Sequence, residues 1–188
     1  MNNAKTKFIL HGGFSTTRNG DNDKFFQEIL NLEKKELKIL CVLFAKEEKE
    51  YNDKKDKLMN LFEVNNKRHK ILNFEIASKK ELINQIKSSD IIYLYGGETM
   101  QLLTALRVYS GFKDSIRGKV VAGESAGAYV LSSCFYSKTS GGVFKGLGYV
   151  PVKTICHYTG ENKEKLEDCP NNLEYLLLER YKYKIFNI

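Results

Sequence analysis

Two kinds of segment alternate along the chain. Runs that are apolar throughout, "KFILHGG", "KILCVLFA", "DIIYLYGG" and "KVVAG", read as strands buried on both faces. Between them lie segments with a helical apolar period. "DKFFQEILNLEKKEL" places Phe26, Ile29, Leu30 and Leu37 on that period, and "KEEKEYNDKKDKLMNLFEV" follows it more weakly. "SKKELINQIKSSD" opens on a capping box from Ser78 to Glu81. A further strand, "KILNFEIA", and the helices "TMQLLTALRVY" and "AGAYVLSSCFY" complete the series. Strand followed by helix, repeated, predicts a doubly wound α/β fold with a mostly parallel sheet flanked by helices. Beyond about residue 138 the pattern loosens into loop and strand, and "LEYLLLERYKYKIF" reads as one or two closing strands. Sites in such sheets form at the carboxyl ends of strands, and three of these ends carry glycine: Gly12-Gly13, Gly96-Gly97 and Gly123.

Composition narrows the picture. With 188 residues, 42% of them hydrophobic, the chain has material for one sizeable core, so residues 1–188 are expected to form one domain. No run reaches the length of a membrane-spanning helix, and "MNNAKTK" leads into a strand without a secretory apolar segment, which implies a cytoplasmic location and no membrane partner. The net charge of +7 does not form a basic stripe, because the lysines are interleaved with acids as in "EEKEYNDKKDK". Nucleic acid is therefore not expected as a partner. Cys41, Cys134, Cys156 and Cys169 are scattered without a Cys-x-x-Cys pair, so they read as free thiols, with Cys41 and Cys156 packed in apolar runs.

Chemistry enters at Gly123-Glu124-Ser125-Ala126-Gly127. A β-branched strand ends on glycine, one serine has glycine at i−2 and i+2, and an apolar helical pattern follows. A strand-to-helix turn tight enough to expose a serine nucleophile strains its central residue and leaves no room for bulk at those two positions. Such a serine needs a base. His69 lies in the polar stretch "NNKRHK" and reads as solvated, whereas His11 and His157 sit at strand ends within reach of a site. An α/β-hydrolase places its acid between serine and histidine, yet residues 126–156 contain no Asp or Glu. The orienting acid must then come from upstream or from after His157, where the candidates are Glu161, Glu164, Glu167, Asp168, Glu174 and Glu179, of which Glu179 is embedded in the last apolar segment. The amide of Ala126 and one from the glycine turn of "YLYGGETMQLL" are suited to hold an oxyanion. Cys156 is not expected to share a site with His157, since neighbours on a strand point to opposite faces.

Taken in order, "YLYGGETMQLL", "VVAGESAGAYVL" and "ICHYTG" resemble the S51 peptidases, which include aspartyl dipeptidase (dipeptidase E) and cyanophycinase, within the class I glutamine amidotransferase-like, flavodoxin-like fold. Amidotransferases of that fold carry cysteine at the turn where this chain has serine. The resemblance implies Ser125 as nucleophile, His157 as base, Glu179 as the acid that orients it, and Gly97 with Ala126 as the oxyanion hole. Gly96, Glu98 and Thr99 would border the substrate, a dipeptide or short peptide with Asp-Xaa as a candidate. No cofactor or metal is expected, and a homodimer is the assembly left open. The family acid often follows a proline; none precedes Glu179, and Arg180 follows it directly. A carboxylate at a ring nitrogen of His157 would favour a peptidase, with kcat/KM rising through an apparent pKa of roughly 6 to 7.5. Approach of Arg180 alone would favour a non-catalytic, ligand- or partner-binding module that has lost the acid.

Overall fold

The apolar runs become the middle of a six-stranded sheet. A computed structural model describes residues 5–188 and places strands β1 (Lys7–His11), β2 (Glu36–Val42), β3 (Ile71–Ile76), β4 (Ile91–Leu94), β5 (Val120–Glu124) and β10 (Tyr183–Asn187) in the order β10-β1-β5-β4-β2-β3. All neighbours are parallel except β10, which runs antiparallel to β1. The chain moves outward from β1 to β2 and β3, then returns through β4 to β5. Right-handed crossovers therefore put the outward helices on one face and the returning helices on the other. Helices α1 (Gly20–Ile29) and α2 (Tyr51–Asn65) bury Phe25, Phe26, Leu58 and Phe62 against Ile39, Tyr93 and Ala122. Helices α3 (Leu82–Ser88), α4 (Thr99–Arg107) and α5 (Phe112–Ser115) pack Leu82, Leu102, Leu103 and Phe112 against Leu40, Ile92 and Val121 on the opposite face. Each such buried Leu, Ile or Phe contributes roughly 1.5–3 kcal/mol. This is the doubly wound plan that the alternation of segments predicts, and it is consistent with the flavodoxin-like fold that the resemblance implies.

Several elements depart from the sequence reading. The first helix stops at Ile29, and Leu37 belongs to β2, where its backbone pairs in the ladder with β3. The capping box at Ser78 does not form. Glu81 occupies the cap position of α3, while the Ser78 amide donates to the Gln85 Oε1 at 2.7 Å. The segment after Ser125 is divided between helix α6 (Ala126–Leu131) and strand β6 (Ser132–Ser137). The Ser132 hydroxyl closes the helix by bonding to the Ala128 carbonyl, and the pairing available to β6 overrides the helical pattern of "SSCFY".

That pairing builds a second sheet, ordered β7-β6-β8-β9, from β6, β7 (Gly142–Lys145), β8 (Val150–Cys156) and β9 (Glu174–Leu178). Phe135, Val150, Val152, Leu176 and Leu178 extend the core on the α4 side of the first sheet. A smaller cluster of Cys134, Ile155, Leu166 and Cys169 joins β6 and β8 to the short helical turn Lys163–Asp168. The expectation of four free thiols is corrected here: Cys134 and Cys169 form a disulfide across a sequence separation of 35, and Cys41 and Cys156 remain free and buried. Among the described residues no helix is long and apolar enough to cross a membrane.

Closing a loop of this length restricts the unfolded chain by roughly 3–4 kcal/mol in the chain-entropy model. Alkylation in denaturant without reductant should modify two of the four cysteines, and Cys134→Ser should lower Tm by about 10 °C. Alkylation of all four cysteines, or an unchanged Tm, would show that the bond does not form in the protein.

Candidate active site

The turn at Ser125 is as tight as the sequence implies. Ser125 has φ 49° and ψ −101°, a positive φ that non-glycine residues adopt only when the surroundings enforce it. A Cβ on Gly123 would lie 2.6 Å from the Gly127 carbonyl carbon, and one on Gly127 would lie 2.4 Å from the Leu94 carbonyl oxygen. The two flanking glycines are therefore in backbone contact, and neither position accepts a side chain without moving β4, β5 or α6. The Ser125 amide donates to the His11 carbonyl at 2.9 Å, continuing the β1–β5 ladder through the turn.

His157 arrives from the second sheet. It follows β8, has φ 55°, and its amide donates to the Gly12 carbonyl at 3.0 Å. Tyr129 of α6 fixes the preceding residue from both sides. Its hydroxyl accepts from the Cys156 amide at 2.9 Å and donates to the Cys156 carbonyl at 3.3 Å. These ties leave the Ser125 Oγ 2.8 Å from the His157 Nε2, the separation of a nucleophile from its base. The strand-alternation expectation for Cys156 is corrected: it lines the same cavity as His157, with its Sγ 3.6 Å from the Ser125 carbonyl oxygen. Burial pushes its thiol pKa well up, so it stays protonated and inert.

The expected partner on the far side of His157 is absent. The His157 Nδ1 is buried and has no hydrogen-bond partner among the described residues. Glu179 is exposed just past β9, and its carboxylate makes no hydrogen bond to His157; the other downstream acids, Glu161, Glu164, Glu167, Asp168 and Glu174, are exposed as well. The bond expected between Glu179 and His157 is thus not made, because Glu179 follows the last residue of β9 and turns to solvent. Arg180 does approach: it lines the cavity around Ser125 and lies over the Phe14 ring, 4.6 Å from its centroid. Burial, and secondarily the positive charge of Arg180, hold the His157 pKa below the ordinary 6.5.

The cavity in front of the pair measures about 490 Å³. Gly97, Glu98 and Thr99 line it together with Ser125, Tyr129 and His157, whereas Gly96 lies buried behind, where a Cβ would come 3.5 Å from the Ser125 Cβ. Glu98 caps α4 by accepting from the Gln101 amide at 2.5 Å. The amides of Gly97 and Ala126 are left unpaired by the backbone hydrogen bonds of the surrounding loops and caps. Ala126 is the first residue of α6, where an orphan donor is inherent. His11 does not join the site. It is fully buried, its Nδ1 accepts from the Gly13 amide, its Nε2 meets the Asn22 Oδ1 at 2.9 Å, and burial pushes its pKa down to about 4. His69 is exposed, as its polar surroundings suggest.

The sequence reading missed Glu124 and Tyr129. Glu124 is buried, with its Oε1 accepting from the Ser15 amide at 3.0 Å and its Oε2 accepting from the Tyr93 hydroxyl at 3.3 Å. An acid inside the otherwise apolar "VVAGESAG" was the available signal. Tyr129 gave none, since it occupies an ordinary apolar position of its helix.

Comparison with known proteins bears on the fold and the family. Two solved structures share the fold at a TM-score of 0.64: a protein of Listeria monocytogenes EGD-e described as a peptidase E (19% identity, covering 98% of this chain and 95% of that one) and a peptidase from an acI-B1 actinobacterium (16% identity, 98% and 84%). No curated protein matches the sequence. The model of peptidase family S51 matches residues 8–177, a span that holds Gly96-Gly97, Ser125 and His157 and stops short of Glu179. The chain belongs to peptidase family S51.

Proposed function

We propose that the protein is a serine peptidase that cleaves dipeptides or short peptides, with Ser125 as nucleophile and His157 as base. The single observation that carries this reading is the 2.8 Å approach of the Ser125 Oγ to the His157 Nε2 at a positive-φ turn. In the reaction the Ser125 Oγ bonds to the scissile carbonyl carbon while its proton passes to Nε2. The amides of Gly97 and Ala126 stabilise the oxyanion that forms. Collapse breaks the C–N bond, and Nε2 returns the proton to the leaving amine. Water then repeats the sequence on the acyl-enzyme and releases the carboxylic acid. Arg180 and Lys138 are the cations on the cavity wall, opposed by Glu98 and Glu161, so an Asp-Xaa substrate would find its counter-charge at Arg180 or Lys138.

A second reading has its own observation, the unpartnered Nδ1: a fold that keeps the pocket but has lost the orienting acid serves as a ligand-binding module. Loss of that acid lowers turnover by up to about ten-thousandfold while leaving substrate binding in place. A panel of dipeptides and short peptides, with Asp-Xaa and isoaspartyl bonds included, separates the two. Wild-type protein should hydrolyse at least one member, and Ser125→Ala and His157→Gln should each lower kcat by about a thousandfold or more. Peptide binding without hydrolysis, equal in wild type and Ser125→Ala, would establish the module.

The pH profile follows from the electrostatics of His157. The imidazole works as a base only when neutral, and its pKa is depressed, so kcat/KM should rise with pH through an inflection below 6.5. Arg180→Gln should move that inflection upward, since a positive neighbour that disfavours the imidazolium has gone. Glu179→Gln should leave rate and inflection within about twofold of wild type. An inflection above 6.5 that falls in Glu179→Gln would instead show that Glu179 does reach His157 in solution.

A further inference from the structure

The turn after β1 carries a conformation that the fold alone does not require. Phe14 has φ 64°, in the left-handed region, and the residue is 42% exposed, so it is not held there by core packing. Every residue of Gly12–Ser15 is nevertheless tied down. The Gly12 carbonyl accepts from the His157 amide, and the Gly13 amide donates to the His11 Nδ1 while its carbonyl accepts from the Tyr181 amide at 3.2 Å. The Phe14 carbonyl accepts from the Asn22 Nδ2 at 2.8 Å and from the Thr17 amide at 3.0 Å. The Ser15 amide donates to the buried Glu124 carboxylate. This anchoring delivers the Phe14 ring edge to face against the His157 imidazole, with centroids 5.4 Å apart and planes at 87°. On another side of the imidazole lies Gly13, where a Cβ would fall 2.0 Å from the His157 Cε1. The imidazole thus contacts both the bare backbone of Gly13 and the ring of Phe14, and its buried Nδ1 has no hydrogen-bond partner among the described residues.

We propose that Phe14 is a positioning residue for His157, an aromatic contact that orients the imidazole in the absence of a carboxylate on its Nδ1. The inference rests on the reading of Ser125 and His157 as the reacting pair. Edge-to-face contact restricts the ring's rotation about its side-chain bonds, which is the orienting part of a triad acid's role; it does not supply the acid's charge. Glu124, one residue before the nucleophile, holds Ser15 and thereby couples the placement of Phe14 to the turn at Ser125. Phe14 also carries the Arg180 guanidinium on its ring, so one side chain sets the imidazole and the neighbouring cation together. The charged and titratable groups around His157 include Arg180 from the turn after β9, His11 from β1, Glu124 from β5, Glu98 at the start of α4, Tyr129 from α6, Tyr136 from β6, Cys156 from β8, Tyr158 after it, and Lys138 and Glu161 on the cavity wall. None of them hydrogen-bonds Nδ1.

The test compares wild type, Phe14→Ala and Phe14→Tyr by three readouts: NMR titration of the His157 imidazole, the rate of Ser125 modification by a fluorophosphonate, and Tm. Phe14→Ala should raise the His157 pKa toward 6.5, because water reaches the ring and Arg180 loses its platform, and should slow modification above the inflection by about tenfold. Phe14→Tyr should restore both to wild-type values. A Phe14→Ala protein that titrates and reacts as wild type overturns the proposal. So does a lower Tm with an unmoved His157 titration, or a Phe14→Tyr protein that restores nothing. If wild-type Ser125 proves unreactive, the peptidase reading fails, while the titration still reports whether Phe14 governs the imidazole.

Discussion

The contact between the backbones of Gly123 and Gly127 is the constraint on which the site depends. It allows β5 to end and α6 to begin within one residue, and that residue is Ser125. A side chain at either position would push α6 away from β4 and β5, and two consequences would follow. The serine would relax from its positive φ, and Tyr129, one turn along the same helix, would lose its double hydrogen bond to Cys156. His157 is the next residue of the chain. A single close approach between two glycines therefore sets both members of the Ser125–His157 pair, one directly and one through α6.

Two electrostatic effects act on His157 in the same direction. Burial and Arg180 both favour the neutral imidazole, which as the proposed base would be ready over a wide pH range. The same effects oppose the imidazolium that must form as the serine is deprotonated, and no carboxylate at Nδ1 stabilises it. Under the proposed mechanism, readiness would thus be gained at the expense of proton affinity. If the proposed peptidase reading holds, the amides of Gly97 and Ala126 and the fixed geometry of the imidazole would have to provide most of the rate enhancement.

Much of this was legible in the sequence for identifiable reasons. Strands buried on both faces are apolar throughout, so β1, β2, β4 and β5 stood out, and glycines at strand ends marked the turns that meet at the site. Ser125 could be read because its turn demands small neighbours at fixed offsets. Features that depend on partners distant in the chain were hidden. The strand character of Ser132–Ser137 exists only through pairing with β7 and β8, and the Cys134–Cys169 bond only through the packing of the second sheet. The same is true of the third position beside His157. Glu179 has the right residue type at a plausible place, but where its carboxylate points is decided by the chain leaving β9, which no local pattern encodes. Phe14 was invisible for a related reason: one aromatic after two glycines has no periodicity to betray a role.

The central claim is that His157 activates Ser125 as a nucleophile, and mapping the site of a covalent serine adduct tests it most directly. After treatment with a fluorophosphonate at neutral pH and digestion, mass spectrometry should find one adduct, on Ser125, and His157→Gln should abolish it. An adduct on another residue, one that persists in Ser125→Ala, or a wild-type protein that takes no label would contradict the account.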